Sequence, residues 1–263
     1  TVRSSVDIAV SDNVEHLTLL GTAPIRGAGN EQDNTLTGNV APNVLAGRGG
    51  NDTYIVGIGD TVVERIEEGH DTVQSAVTWV LSEHVENLTL TGPGSVSGTG
   101  NELGNVLIGN AGSNVLIGLA GQDTLEGKRG NDVLNGGLDN DLYLFGRGDG
   151  KDTIREGGGD EDALRFDEDV NPLDLILSRQ ANDLRIMILG STDRVTVKEW
   201  YSNPAVAQVE VIQAGNGQVL VHTQVEQLIQ AMAGFAQQTG LSWEQAIAQR
   251  PDEVHQMLAA SWQ

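Results

Sequence analysis

Between residues 29 and 55, and again between 100 and 144, the chain repeats a nine-residue phrase. The first block reads GNEQDNTLT (29–37), GNVAPNVLA (38–46) and GRGGNDTYI (47–55). The second reads GNELGNVLI (100–108), GNAGSNVLI (109–117), GLAGQDTLE (118–126), GKRGNDVLN (127–135) and GGLDNDLYL (136–144). All eight units carry Gly at the first place, Asn or Asp at the sixth and Leu or Tyr at the eighth. A fixed short period restricts the fold to a stack of nearly identical units. Glycine at the first and often the fourth place opens backbone conformations closed to other residues, so each unit begins with a turn. The three residues around the Leu or Tyr form a short strand. One apolar residue per strand cannot be buried alone, and stacking is what covers Leu107, Leu116, Leu125, Leu134 and Tyr143. The expected fold is mainly β, a solenoid of alternating turns and strands.

Stacking raises an electrostatic difficulty. The chain has 37 acidic and 15 basic residues, a net charge of −22, while only 38% of it is apolar and 4% aromatic. That is thin material for a core, so something besides hydrophobic burial must help to hold the stack. Asp at every ninth residue sets carboxylates in columns, and like charges held that close are costly unless neutralised. A hard divalent cation neutralises them. Oxygen ligands from Asp and Asn side chains and from turn carbonyls suit calcium far better than zinc or copper. The same charge repels a nucleic-acid backbone and an anionic membrane surface, so no nucleic-acid partner is expected. With no cysteine, disulfides, thiolate nucleophiles and zinc–thiolate sites are excluded. No run of 18 apolar residues appears, so no membrane-spanning segment is predicted.

A second self-similarity has a longer period. A shift of 71 residues lays SDNVEHLTL (11–19) on SEHVENLTL (82–90), Gly29-Asn30-Glu31 on Gly100-Asn101-Glu102, and Asn43-Val44-Leu45 on Asn114-Val115-Leu116. The alternating segments 14–21 and 85–92 read as strands that extend the solenoid. His16 matches Asn87 and His84 matches Asn13, so both histidines belong to repeat positions rather than to a site. Thr1-Val2 falls on Thr72-Val73, in mid-repeat, which predicts a longer parent protein. No secretory signal pattern follows Thr1.

The units GRGGNDTYI, GLAGQDTLE, GKRGNDVLN and GGLDNDLYL resemble the repeats-in-toxin (RTX) nonapeptide, G-G-x-G-x-D-x-U-x, of haemolysin-type calcium-binding proteins. The resemblance covers at least residues 29–55 and 100–155. It implies a calcium-binding parallel β-roll in which consecutive turns alternate between two sides, so that each calcium lies between one turn and the next but one. Carried over, that rule pairs Asp123 with Asp141, and Asp132 with Asp149 or Asp152. It also pairs Asn34 with Asp52, Asn105 with Asp123 and Asn114 with Asp132, where a neutral amide makes for weak or empty sites; Asn43 is a further neutral sixth-place residue. Fifth-place Asn51, Asn131 and Asn140 are candidate oxygen donors, as are the turn glycines Gly118, Gly127 and Gly136. Pro42 and Gly104, in that fifth place, offer no side-chain ligand. The acid clusters Asp160-Glu161-Asp162 and Asp167-Glu168-Asp169 lack the period and read as a solvated linker.

Composition changes near residue 160: residues 1–170 hold 29 of the 34 glycines. The expected organisation is an RTX roll over 1–160, a β-rich capping region over 161–222 and a helical segment over 223–263. Within the second, segments beginning at Asp162, Asp174, Asp183, Asp193 and Val209 alternate apolar with polar residues and read as strands. Within the third, Val225, Leu228, Ile229, Met232, Phe235 and Ala236 recur at helical spacing. Ser242 to Gln245 is a capping box, and Pro251 suits a first helical position ahead of Val254, Met257, Leu258 and Trp262.

No His-Glu-x-x-His, Gly-x-Ser-x-Gly or Walker loop is present, and the chain is expected not to be an enzyme. The resemblance implies the carboxyl-terminal region of a large bacterial protein exported through type I secretion machinery. It would be extracellular or on the cell surface, as a toxin or adhesin. Residues 223–263 then sit where an uncleaved export signal lies, or form a cap on the open solenoid end. The alternatives are an adhesive stalk with a host-surface or biofilm ligand, and the non-catalytic secretion domain of a lipase, protease or epimerase.

Overall fold

The computed structural model describes residues 1–263. Strands leave each turn alternately for two faces of a flattened solenoid. One face is a 12-stranded sheet built from Val2–Ser4, His16–Leu19, Thr35–Thr37, Thr53–Val56, Thr72–Ser75, Asn87–Leu90, Val106–Ile108, Thr124–Glu126, Leu142–Phe145, Ala163–Phe166, Val211–Gln213 and Val219–Val221. Every pairing in it is parallel except the last. The opposite face is split. Ile8–Ala9, Arg26–Ala28, Val44–Ala46 and Thr61–Val62 form one parallel sheet. Trp79–Val80, Gly98–Thr99, Val115–Leu119, Val133–Gly137, Lys151–Ile154 and Arg194–Val197 begin a second. That sheet ends in an antiparallel hairpin of Leu175–Gln180 and Asp183–Ile188.

Register follows the period. Leu107 lies opposite Leu125 and Leu125 opposite Tyr143 on one face, while Leu116 lies opposite Leu134 on the other. Each strand thus pairs with the next but one, as a parallel β-roll requires. The side chains of these residues are completely covered, whereas flanking Val106 and Val115 remain 37% and 38% exposed. That contrast is the period-two alternation of a strand with one wet face. The 71-residue shift also holds in space, carrying His16–Leu19 onto Asn87–Leu90 and Arg26–Ala28 onto Gly98–Thr99. Asn13 and His84, equivalent under that shift, both take left-handed backbone angles of 63° and 65°, so His84 is a turn residue.

Both sheets run past residue 160. Ala163–Phe166 continues the longer one and Arg194–Val197 the shorter. Three helices follow. α1 (His222–Thr239) buries Val225, Leu228 and Met232, and packs against Leu175–Gln180 and Val219–Val221. α2 (Trp243–Gln249) starts at Ser242, whose hydroxyl accepts the Gln245 amide while Gln245 reciprocates. α3 (Pro251–Ala259) begins on Pro251 and buries Val254 and Leu258. Backbone bonds in both directions tie Gln263 to Val219, covering the open side of the terminal strand. A single apolar cluster runs from Val10 to Trp262.

If stacked leucines carry the apolar part of stability, Leu116→Ala should lower the unfolding free energy of the calcium-loaded protein by about 3 kcal/mol. Val115→Ala should change it by less than about 0.5 kcal/mol. Urea denaturation of both variants checks this, and equal losses would refute the register.

Candidate functional site

The turns at the edges of the roll come in two chemical kinds, set by the second, fourth and sixth places of the repeat. In units with Asn at second and sixth places, the side chains close the turn among themselves. Sixth-place Asn34, Asn43, Asn105 and Asn114 each accept the amide of the second-place residue, at 2.6–2.9 Å. Their side-chain nitrogens donate to carbonyls one turn back in the same column: Val14, Ile25, Val85 with Glu86, and Val96. Second-place Asn30, Asn39, Asn101 and Asn110 also accept the amide two residues on. Within each of these turns the side-chain bonds are made by neutral groups alone.

The aspartate units differ. Their second places, Arg48, Leu119, Lys128 and Gly137, and their fourth places, Gly50, Gly121, Gly130 and Asp139, all have positive φ. First-place Gly118, Gly127 and Gly136 do not, so the sequence rationale for them needs correcting. They are glycine because a Cβ would collide with the outer carboxylate oxygen of Asp123, Asp132 and Asp141 respectively. Fourth-place Gly50, Gly121 and Gly130, and second-place Gly137, are the glycines whose backbone angle favours glycine.

Each sixth-place carboxylate accepts a backbone amide from the turn before it in its column. Asn34 donates to Asp52, Asn105 to Asp123, Asn114 to Asp132, Asp123 to Asp141 and Asp132 to Asp152, at 2.6–2.9 Å. All five predicted pairings are therefore spatial neighbours, and the choice at the end of one column falls on Asp152. Asp149 instead accepts the Gly146 amide within its own loop. Fifth-place Asn51, Asn131 and Asn140 use their side-chain oxygens on amides of the following turn, those of His70, Lys151, and Asp160 with Glu161. In this arrangement they act as turn-to-turn latches.

The columns also contain acids that the nine-residue count omits. Asp52 donates its amide to Asp71, Asp71 to Glu86, Asp141 to Asp162, and Asp162 to Glu210. The linker reading of Asp160-Glu161-Asp162 is corrected for Asp162, which has no exposed surface, although Asp160, Glu161 and Asp167 to Asp169 are exposed. Spacing concealed these residues. The steps are 19 from Asp52 to Asp71, 20 from Asp132 to Asp152 and 21 from Asp141 to Asp162, because longer turns bulge outward while the strands keep register. The usable signal was the similarity of TYIVGIGD (53–60), followed directly by T-V-V-E (61–64), to LYLFGRGD (142–149), followed after three residues by T-I-R-E (153–156).

One oxygen of each column acid is bonded to an amide; the other is not. Buried and without a partner are an oxygen of Asp52, Glu64, Asp71, Asp123, Asp132, Asp141, Asp152, Glu156 and Asp162. Burial in the columns raises their proton affinity. It pushes Asp52, Asp123, Asp132 and Asp141 up to about 7, Asp71 and Asp162 to about 6, and Glu64, Asp152 and Glu156 to about 8. An unpaired buried carboxylate is costly, and a cation is the partner that satisfies both its charge and its lone pairs. All-oxygen donors beside turn carbonyls fit calcium. Asp123, Asp132, Asp141 and Asp152 are the residues that would hold it in the regular block. The neutral turns of Asn34, Asn43, Asn105 and Asn114 leave no side-chain atom unpaired for it.

Comparison with known families gives two matches. The model of the RTX calcium-binding nonapeptide repeat (4 copies) matches residues 28–63, 99–134 and 118–154. That of the haemolysin-type calcium binding protein related domain matches residues 183–223, from the antiparallel hairpin to the start of α1.

The raised carboxylates fix the sign of a pH effect. In the unfolded chain they lose protons near pH 4, whereas in the metal-free fold they hold them to about 6–8. Metal-free stability therefore falls as pH rises through that window, and calcium binding there must release protons. The calcium midpoint is expected to fall as pH rises from about 6 to about 8. Titrations at the two pH values, with proton release followed in weak buffer, check this. A pH-independent midpoint without proton release would contradict it.

Proposed function

This chain belongs to the RTX haemolysin-type calcium-binding proteins, and we propose that its task is to keep a secreted protein unfolded until calcium folds it outside the cell. The observation that carries this reading is the set of nine buried carboxylate oxygens without partners. Without calcium each is either protonated against the ambient pH or charged against its neighbours. With a net charge of −22 and 38% apolar residues, the metal-free chain has little to offset its chain entropy.

Calcium reverses that balance. Each site filled at 100 times its dissociation constant adds about 2.7 kcal/mol to folding, so a few coupled sites determine whether the roll exists. A chain held open at low cytoplasmic calcium suits passage through a narrow type I exporter. Abundant extracellular calcium then folds it in the medium or at the cell surface, as part of a larger toxin or adhesin. In this reading the chain itself catalyses nothing. Residues 223–263 serve as export signal before folding and as cap afterwards. In support of the second role, Val225, Leu228, Val254, Leu258 and Trp262 join the apolar cluster that runs the length of the roll.

Circular dichroism during a calcium titration tests the proposal. Strand signal should appear only with calcium, with a midpoint of about 0.1–1 mM. An identical spectrum in excess chelator would sink the folding switch. Two variants sharpen the test. Asp132→Ala removes a column carboxylate, and should raise the midpoint and reduce the number of ions bound by the folded protein. Asn43→Ala breaks only amide latches and should leave that number unchanged. Equal stoichiometries for the two variants would mean that the sixth-place aspartates are not the ligands.

A further inference from the structure

Two of the eight repeat units carry Tyr rather than Leu at the eighth place, Tyr54 and Tyr143. Both are fully covered, and each hydroxyl accepts the amide of the first-place glycine of its own unit, Gly47 at 2.5 Å and Gly136 at 2.8 Å. The turn that follows each of them is not a nonapeptide.

Register places an unexpected residue in that next turn. Leu45 pairs with Val62, which sets Glu64 beside Gly47; Leu134 pairs with Ile154, which sets Glu156 beside Gly136. The position that is glycine in every regular unit is thus a glutamate where each block ends. Glu64 brings one oxygen to the Gly47 amide at 3.2 Å and leaves the other unpaired. Glu156 lies against the Tyr143 hydroxyl and likewise leaves one oxygen unpaired.

These glutamates meet the column aspartates. Asp52, Glu64 and Asp71 each offer an oxygen within 4.8 Å of the others, and so do Asp141, Glu156 and Asp162. Asp52, Glu64 and Asp71 are 1%, 7% and 1% exposed, and Asp141 and Asp162 are 2% and 0% exposed. Glu156 is half-buried, and each of the six residues leaves one covered oxygen without a partner in these clusters. The regular columns bring two carboxylates to a step, as at Asp123 with Asp141, or a carboxylate and an amide, as at Asn105 with Asp123. Ligand charge is a main determinant of calcium affinity in such sites.

We propose that Glu64 and Glu156 complete two three-carboxylate calcium sites, one with Asp52 and Asp71 and the other with Asp141 and Asp162, which close the two repeat blocks and bind calcium more tightly than the nonapeptide steps. The inference rests on the calcium-binding reading above and adds to it a division of the ions into two classes. The tyrosine hydroxyls position the first-place amides at these sites and provide a spectroscopic label for them.

The test uses the full chain with calcium and with terbium as probes. In the wild type, tyrosine-sensitised terbium emission should saturate at two ions per chain, ahead of the remaining sites. Glu64→Gln and Glu156→Gln should each remove one tight calcium ion, weakening it at least about tenfold. Asp132→Asn, in the other column, should spare both. Tyr54→Phe with Tyr143→Phe should abolish most of the early emission. If the double glutamine variant keeps two tight ions, the inference is overturned while the calcium module stands. If the wild type binds no calcium, the module reading itself fails. Should a glutamine variant not fold, the wild-type terbium order still decides: emission that rises only after the other sites have filled overturns the proposal.

Discussion

The roll depends on how buried carboxylates in a column are reconciled with one another. Parallel pairing between a turn and the next but one brings sixth-place residues together, as when the Asp123 amide meets Asp141. That contact satisfies one oxygen and strands the second in a place without water. The apolar stack is only one or two residues wide on most strands of the roll, from Leu107 alone to the pair Tyr143 and Phe145, so several such penalties weigh heavily against it. Under the proposed function, the fold of the aspartate turns would be conditional on a cation, and the strands that present them on the fold. Sequence economy produces this coupling: the glycine that leaves room for the stranded oxygen of Asp141 is Gly136, five residues earlier in the same unit.

The asparagine turns show the alternative solution. Replacing one carboxylate oxygen by an amide nitrogen turns a repelling atom into a donor, and the carbonyl it meets, such as that of Val96 for Asn114, is satisfied by protein alone. Both blocks open with two such turns and end with charged ones. Each block thus runs from neutral rungs to acidic rungs, and the neutral rungs offer the acidic ones a strand to pair with.

Much of this was legible in the sequence. Period nine gave the strands, their alternation and the buried leucines, because a repeat that must stack leaves few choices. Spacing of apolar residues located α1, and the Ser242 box and Pro251 located the starts of α2 and α3. Asp71, Asp162, Glu64 and Glu156 escaped for one shared reason. A roll enforces register through its strands, not through residue count, so turns such as 156–162 can lengthen outward without breaking a column. The latch role of the fifth-place asparagines was not legible for another reason: the count fixes their place in the turn but not which amide their side chains meet.

The charged column does not stop at the repeats. Asp141 passes its amide to Asp162, Asp162 passes its own to Glu210, and the Glu210 carbonyl accepts the amide of His222, the first residue of α1. Asp162 and Glu210 lie 48 residues apart, yet they form one step of the same ladder because Ala163–Phe166 and Val211–Gln213 are adjacent parallel strands. The hairpin and its flanking loops fill that interval and extend the other face through Arg194–Val197. An ion held by Asp141 and Asp162 would thereby bear on Val211–Gln213, the strand paired with Val219–Val221 just ahead of α1. The buried face of α1 in turn covers Leu175–Gln180, the far edge of the second sheet. Both sheets consequently end against one helical segment, whose first hydrogen bond is made to the residue that terminates the charged column.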